Sequence, residues 1–308
     1  MNLVGLMVVR NEEWVLGLSL RAALLAVDSL IVLDHASKDG TRGLVARVAR
    51  EYPGRVHLLR EDDPVWRETA FRQKLLDAGR ARGATHFLAL DADEVLTGNL
   101  LPRVRGLFAA LAPGEPVWLP WLAMWRGLDH YREDDSRLSR ISMILGFRDA
   151  PGLHYAHSLA GYDIHTRELN GLLGEHRPLA PKAGGGVFHL AFANPRRLRQ
   201  KLAWYKMIET LRFPWRFTPE QLNERYGRFL DEEELRTLPA DPAWWDPYRS
   251  WLGEVDLDGA GWHGEECRRL WAEHGTEPFA GLELWDVLQE RESGIQSDIL
   301  NQSSPSLA

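Results

Sequence analysis

The first ninety residues alternate short apolar runs with segments whose apolar positions recur every three or four residues. Leu3-Val4-Gly5-Leu6-Met7-Val8-Val9 is a run rich in β-formers, and Leu30 to Leu33, Val56 to Leu59 and His86 to Leu90 repeat the pattern. Between them, Glu12 to Leu25, Gly43 to Tyr52 and Trp66 to Arg82 carry apolar residues at helical spacing, such as Val15, Leu18 and Leu25 or Leu44, Val45 and Val48. Strands that are apolar throughout, rather than alternating, are covered on both faces. Separated by helices, they predict βαβ units and an α/β fold with a mainly parallel sheet flanked by helices. Ligands of such sheets sit at the carboxyl ends of the strands. The polar residues that follow each run are therefore the first place to look for chemistry.

Beyond that region the pattern weakens. Residues 117–190 hold Trp118, Trp121 and Trp125, the charged run Arg132 to Asp135, most of the histidines, and Gly184-Gly185-Gly186 ahead of Val187 to Leu190. Asn194-Pro195 reads as an N-cap followed by proline at the first helical position, opening a basic helix through Arg196, Arg197, Arg199 and Lys201. Mixed helix and loop follow from Pro214 to about Glu290. The expected organisation is a ligand-binding α/β domain over 1–193, a helical C-terminal region over 194–292 packed on it, and a disordered tail over 293–308.

Composition and hydropathy change this picture in four places. The 308 residues carry a net charge of -7, which argues against a protein that grips nucleic acid through phosphate charge. The single cysteine, Cys267, cannot form an internal disulfide. Leu3 to Val9 is too short to span a bilayer, and no later stretch reaches about 18 uninterrupted apolar residues. These features point to a cytoplasmic protein with no transmembrane segment, and leave peripheral membrane contact open. The count of 13 Trp suits a protein that stacks sugar rings, or a protein-binding surface.

The strongest local signal is Leu88-Ala89-Leu90-Asp91-Ala92-Asp93-Glu94, two carboxylates around one small residue at the end of a buried run. One or two carboxylates plus substrate phosphates is the usual way to hold magnesium or manganese. Alone, the same residues read more readily as an acidic turn capping a helix. The second signal, Asp34-His35-Ala36-Ser37-Lys38-Asp39-Gly40-Thr41, reads alone as a polar turn before a helix.

Taken in order with Met7-Val8-Val9-Arg10-Asn11-Glu12, these two segments resemble family 2 glycosyltransferases of the GT-A fold. In that family the first strand ends in a short RNE stretch, the second in a D-[DN]-G-S-T-D-G-T turn, and the fourth in a D-x-D metal motif. The resemblance covers roughly the first 125 residues. It implies a GT-A sheet and a metal-dependent glycosyltransferase. Such an enzyme moves a sugar from a nucleotide diphosphate donor, commonly a UDP-sugar, to a carbohydrate, lipid-linked or protein acceptor with inversion. It further implies that Val9, Arg10 and Glu12 line the base pocket and that Asp34 hydrogen-bonds the base. Asp91 would lie near the ribose and assist in holding the metal, and Asp93 would coordinate Mn2+ or Mg2+. Two positions depart from the pattern: His35 replaces the second acidic or Asn residue, and Ala36 replaces Gly.

Similar enzymes carry a metal-ligating His before a basic helix, which implies that role for His189. They also place an Arg or Lys on the helix ahead of the fourth strand, which implies donor contact for Arg72, beside Gln73. The catalytic base is expected between the D-x-D and the metal His, where Asp163 and His157 are the candidates and His154, His165, Glu175 and His176 are the other titratable groups. Trp118, Trp121 and Trp125 are expected on the acceptor side. Two other classes stay open: a sugar nucleotidyltransferase, for which the first strand end lacks the usual glycines, and a non-catalytic sugar- or partner-binding module on the same fold.

Overall fold

The computed structural model describes residues 1–156, 169–173 and 182–289. The chain divides into two compact units. One comprises Met1–Leu198 with Gly227–Ala260, the other Arg199–Tyr226 with Gly261–Ala308. The division falls inside a helix, and Gly227–Ala260 returns to the first unit.

The first unit opens with β1 (Leu3–Val9), α1 (Glu13–Ala26), β2 (Ser29–His35), α2 (Thr41–Glu51), β3 (Val56–Glu61), α3 (Glu68–Arg80) and β4 (His86–Ala89). These match the expected elements closely. It continues with β5 (Glu94–Leu96), α4 (Leu101–Ala109), β6 (Pro116–Ala123), β7 (His130–Arg132), β8 (Ser142–Arg148), β9 (His154–Tyr155), β10 (Leu169–Asn170) and β11 (Val187–His189). Helix α5 (Pro195–Arg212) crosses the division, and α6 (Pro219–Gly227) ends at it. The strand β12 (Thr237–Pro239) and the 3-10 turns Pro242–Trp244 and Asp246–Glu254 complete the first unit, and α7 (Trp262–His274) lies in the second.

Eight strands form one sheet in the order β3-β2-β1-β4-β8-β6-β11-β5. The first four are mutually parallel, with Val9 level with Asp34 and Leu3 level with His86. Beyond β4 the sheet is mixed: β8 is antiparallel to β4 and β6, β6 and β11 are parallel, and β5 closes the edge antiparallel to β11. A parallel half that turns mixed after the fourth strand, with helices on the faces, is the GT-A arrangement.

Side-chain alternation explains the two cores. Leu3, Met7 and Val9 of β1 join Leu30 and Val32 of β2 in one cluster, with Leu16 and Leu20 of α1 and Val45 and Val48 of α2. Val4, Leu6 and Val8 join Ile31 and Leu33 in another, with Phe71, Leu75 and Leu76 of α3. The strands read as continuously apolar because both faces are covered. A third cluster sets Val15 and Leu18 of α1 with Val95, Leu122 and Phe188, and with Trp244, Trp245 and Tyr248 of the returning segment.

The glycine run has a local cause. A Cβ at Gly186 would lie 2.3 Å from the Pro120 carbonyl oxygen. Glycine there lets β11 slot between β6 and β5, while Thr97 anchors it through Thr97 N to Gly186 O and Gly186 N to Thr97 Oγ1.

In the second unit, Lys206 is fully buried. Its ammonium donates to Asn223 Oδ1 at 3.0 Å and Glu283 O at 2.8 Å and lies 3.7 Å from the centre of the Trp285 ring. Burial brings its pKa down to about 8. Among the described residues, no helix is long and apolar enough to cross a membrane.

Candidate functional site

The carboxyl ends of β1 and β2 are knitted together. After β1 the backbone turns through Asn11 at φ 52°, and after β2 through Ala36 at φ 50°. Asn11 N donates to Ser37 Oγ, and Asn11 Oδ1 accepts from Lys38 N. Glu12 N donates to Thr41 Oγ1, Glu13 N to Asp39 Oδ2, and Gly40 N to Glu13 Oε2. The residues that read as an ordinary polar turn are thus a side-chain-to-backbone lattice joining two strand ends.

Asp34 is fully buried and paired with Arg42 through Oδ2. Its Oδ1 is buried without a hydrogen-bond partner among the described residues. His35, also fully buried, packs its ring against Phe71 and Trp66. The Asp63 carbonyl can only accept, so His35 Nε2 donates to it at 2.8 Å; Nδ1 then faces Arg10 Nη1 at 3.5 Å as an acceptor. Burial, helped by the Arg10 charge, brings the His35 pKa down to about 4. The ring is neutral and aromatic packing holds it, which accounts for a histidine where the family pattern has Asp or Asn.

The other expected donor-side residues divide. Arg10 also donates to the Pro64 carbonyl at 2.9 Å. Glu12 accepts from Trp14 Nε1 at 2.7 Å. Arg72 donates twice to Glu68 Oε1 and once, at 2.9 Å, to Asp91 Oδ1. Gln73 turns elsewhere, to Asp77 and the Tyr155 amide. Arg197 of the basic helix is held by Asp256 and lies over the Trp14 ring.

The acidic segment forms a tight turn after β4. Glu94 N donates to Asp91 O, and Asp91 N donates to Glu94 Oε2 at 2.8 Å. Asp93 is 4% exposed and its Oδ2 lies 3.5 Å from His189 Nε2. Residues almost a hundred positions apart meet because β5 and β11 are neighbours, with Glu94 level with His189. Leu190 N donating to Asp93 O at 2.8 Å fixes the junction.

Asp93 and His189 therefore come together and Asp91 does not join them, being turned to Arg72. Among the described residues, no group of three His, Cys, Asp or Glu side chains is arranged to hold a metal ion. The donor chemistry still fits a hard divalent cation completed by phosphate oxygens: one carboxylate and one imidazole, whose Nδ1 is buried with no partner among the described residues. Asp163 and His157, the expected base candidates, lie outside the described residues, as do His165, Glu175 and His176. His154 is exposed and bonded to Gly152 O.

The three tryptophans have different surroundings. Trp121 stacks on His189, ring centres 3.7 Å apart and planes 13° apart, and donates to Glu94 Oε1 at 3.1 Å. Trp125 is buried between Phe192 and Arg132. Trp118 is partly buried on β6. Glu94 was the residue missed by sequence reasoning, although it directly follows the second Asp of the motif.

No family model and no curated protein matches the chain. Among solved structures it is similar to Staphylococcus aureus TarS, residues 1–349, at 16% identity and a TM-score of 0.32, covering 42% of this chain and 36% of that one. Glucosyl-3-phosphoglycerate synthase from Mycobacterium tuberculosis, in complex with Mn2+, UDP and glucosyl-3-phosphoglycerate, matches at 18% identity and a TM-score of 0.29 over 40% of this chain and 44% of that one. The mannosyltransferase PcManGT from Pyrobaculum calidifontis, in complex with GDP-Man and Mn2+, matches at 20% identity and a TM-score of 0.29 over 41% and 35%. The matched region is well under two thirds of each of these proteins.

Proposed function

We propose that the chain is a metal-dependent glycosyltransferase, family 2-like, that takes a sugar from a nucleotide diphosphate donor, a UDP-sugar by preference, and transfers it with inversion to a carbohydrate, lipid-linked or protein acceptor. The observation that carries this reading is the convergence of Asp93 and His189 at 3.5 Å, beside the Asp91 turn at the carboxyl end of β4. Asp34 Oδ1, buried and without a partner among the described residues, supports recognition of a base N–H.

In this reading Asp93 and His189 hold Mn2+ or Mg2+, which supplies countercharge to a departing diphosphate. Asp34 orients the base. Val9, level with Asp34 on β1, and the Arg10 and Glu12 backbone form the floor beneath it. Arg72 holds the Asp91 carboxylate in place by donating to Oδ1 at 2.9 Å. Asp163 or His157 takes the acceptor proton.

The test is calorimetry with UDP and Mn2+ on the wild type and on Asp93→Asn, which keeps size and removes charge. Wild-type binding that needs the metal, lost by about 100-fold or more in the variant, supports the reading. Equal metal-dependent affinity in both proteins refutes it.

A further inference from the structure

We propose that Glu94 is a positioning residue that sets the metal couple, through Trp121 as its arm; this rests on the metal-dependent reading above. Glu94 is fully buried. Its two carboxylate oxygens take two different N–H groups, Oε2 from the Asp91 backbone and Oε1 from the Trp121 indole. One carboxylate thus fixes both the turn that presents Asp93 and the ring that lies on His189.

Sheet geometry explains why these groups meet. Glu94 sits level with His189 across the β5–β11 pair. On the other side Ala123 is level with His189, and Trp121 is two residues earlier on the same strand. Residues two apart share a face, so Glu94, His189, Ala123 and Trp121 all lie on one face of the sheet. The small Ala123 leaves room for the indole to lie flat over the imidazole, 3.7 Å between ring centres. The stack sets the tilt of the imidazole plane, and with it the direction of Nε2 toward Asp93. A metal ligand whose orientation is fixed by its neighbours binds better than one free to rotate, and such supports are typically worth about 10–100-fold in affinity.

The chemistry at Glu94 makes a sharp variant. A carboxylate can accept from both N–H groups at once. In Glu94→Gln one of those positions becomes an amide NH2, which faces a donor with a donor. Either the turn or the indole must then lose its partner. Trp121→Phe keeps an aromatic ring at that position and removes the indole N–H together with the five-membered ring that carries it.

UDP affinity is measured by calorimetry for the wild type, E94Q, W121F and the double variant, with Mn2+ and again with EDTA. The expected result is a drop of about tenfold in the Mn2+-dependent part for E94Q and a smaller one for W121F, with the EDTA affinity unchanged. The double variant should lose less than the sum of the two single losses, because both changes act on the imidazole through the same Glu94 carboxylate. General loosening of the fold would weaken binding equally with and without metal, and that outcome overturns the proposal, as does an unchanged affinity in E94Q. W121F carries the test alone if E94Q does not fold, with an unchanged metal-dependent affinity again the refuting result. A wild type that binds UDP without regard to Mn2+ removes the functional reading itself, and this proposal with it.

Discussion

Lowering the pH should destabilise this protein through His35, by an amount that follows from its surroundings. The ring has no exposure, and in the neutral form both its nitrogens are engaged, Nε2 donating to Asp63 O and Nδ1 facing Arg10. A proton on Nδ1 would set an N–H against the guanidinium. The folded-state pKa accordingly lies at about 4, whereas the unfolded chain takes up the proton near the ordinary value of about 6.5. Above about pH 6.5 the ring is neutral in both states and costs nothing. As the pH falls, the unfolded chain binds a proton that the folded one refuses, so stability is lost between about 6.5 and about 4. At about 1.4 kcal/mol per pH unit the full loss is about 3 kcal/mol, most of it felt by about pH 4.5. Urea unfolding at about pH 7 and about pH 4.5, for the wild type and His35→Asn, isolates the effect. His57 and His86, whose pKa values burial also lowers, contribute to both proteins and cancel in the comparison. The wild type should lose about 2–3 kcal/mol more than the variant over that interval. Parallel losses in the two proteins would refute the assignment of a buried neutral imidazole.

Arg72→Met should cost about 3 kcal/mol of stability at pH 7, because it leaves the Glu68 carboxylate, 7% exposed, without its guanidinium; denaturant melts showing a loss below about 1 kcal/mol would contradict this. Ala36→Gly should raise stability by about 0.5–1 kcal/mol, because Ala36 occupies φ 50° after β2, where a Cβ is strained. A lower melting midpoint in that variant would show that the strain is already relieved by its neighbours.

Legibility tracked the range of the interactions. β1 to β4 were readable because strands covered on both faces are apolar at every position, and each is followed by its own helix. Mixed strands hid better. β6 carries two prolines and two tryptophans, and β5 is only three residues long directly after the acidic turn, so Glu94 passes for a helix cap. The meeting of Asp93 with His189 depends on pairing between strands more than ninety residues apart; the family resemblance implied it, but no local pattern encodes it. The segment after Gly227 reads as part of a helical C-terminal region packed on the α/β domain, but the sequence does not say which residues make the contact. Trp245 stacks on Phe188, next to His189, at 4.0 Å, and the Tyr248 hydroxyl caps the Leu96 carbonyl. Those contacts are made by aromatic residues whose periodicity is neither helical nor alternating. Conversely, Glu12 and Arg197 illustrate residues of the right type whose side chains are already committed, to Trp14 and to Asp256.

The lattice between the ends of β1 and β2 has a consequence for recognition. Ordering a flexible residue costs about 1–2 kcal/mol of backbone entropy, and a loop that must be ordered by its ligand subtracts that from the affinity. Here Asn11, Glu13, Ser37, Asp39 and Thr41 tie the two segments to each other through the chain's own hydrogen bonds. A molecule arriving at this end of the sheet meets a rigid template, so selectivity there follows from shape and hydrogen-bond match, with no induced ordering of these two loops.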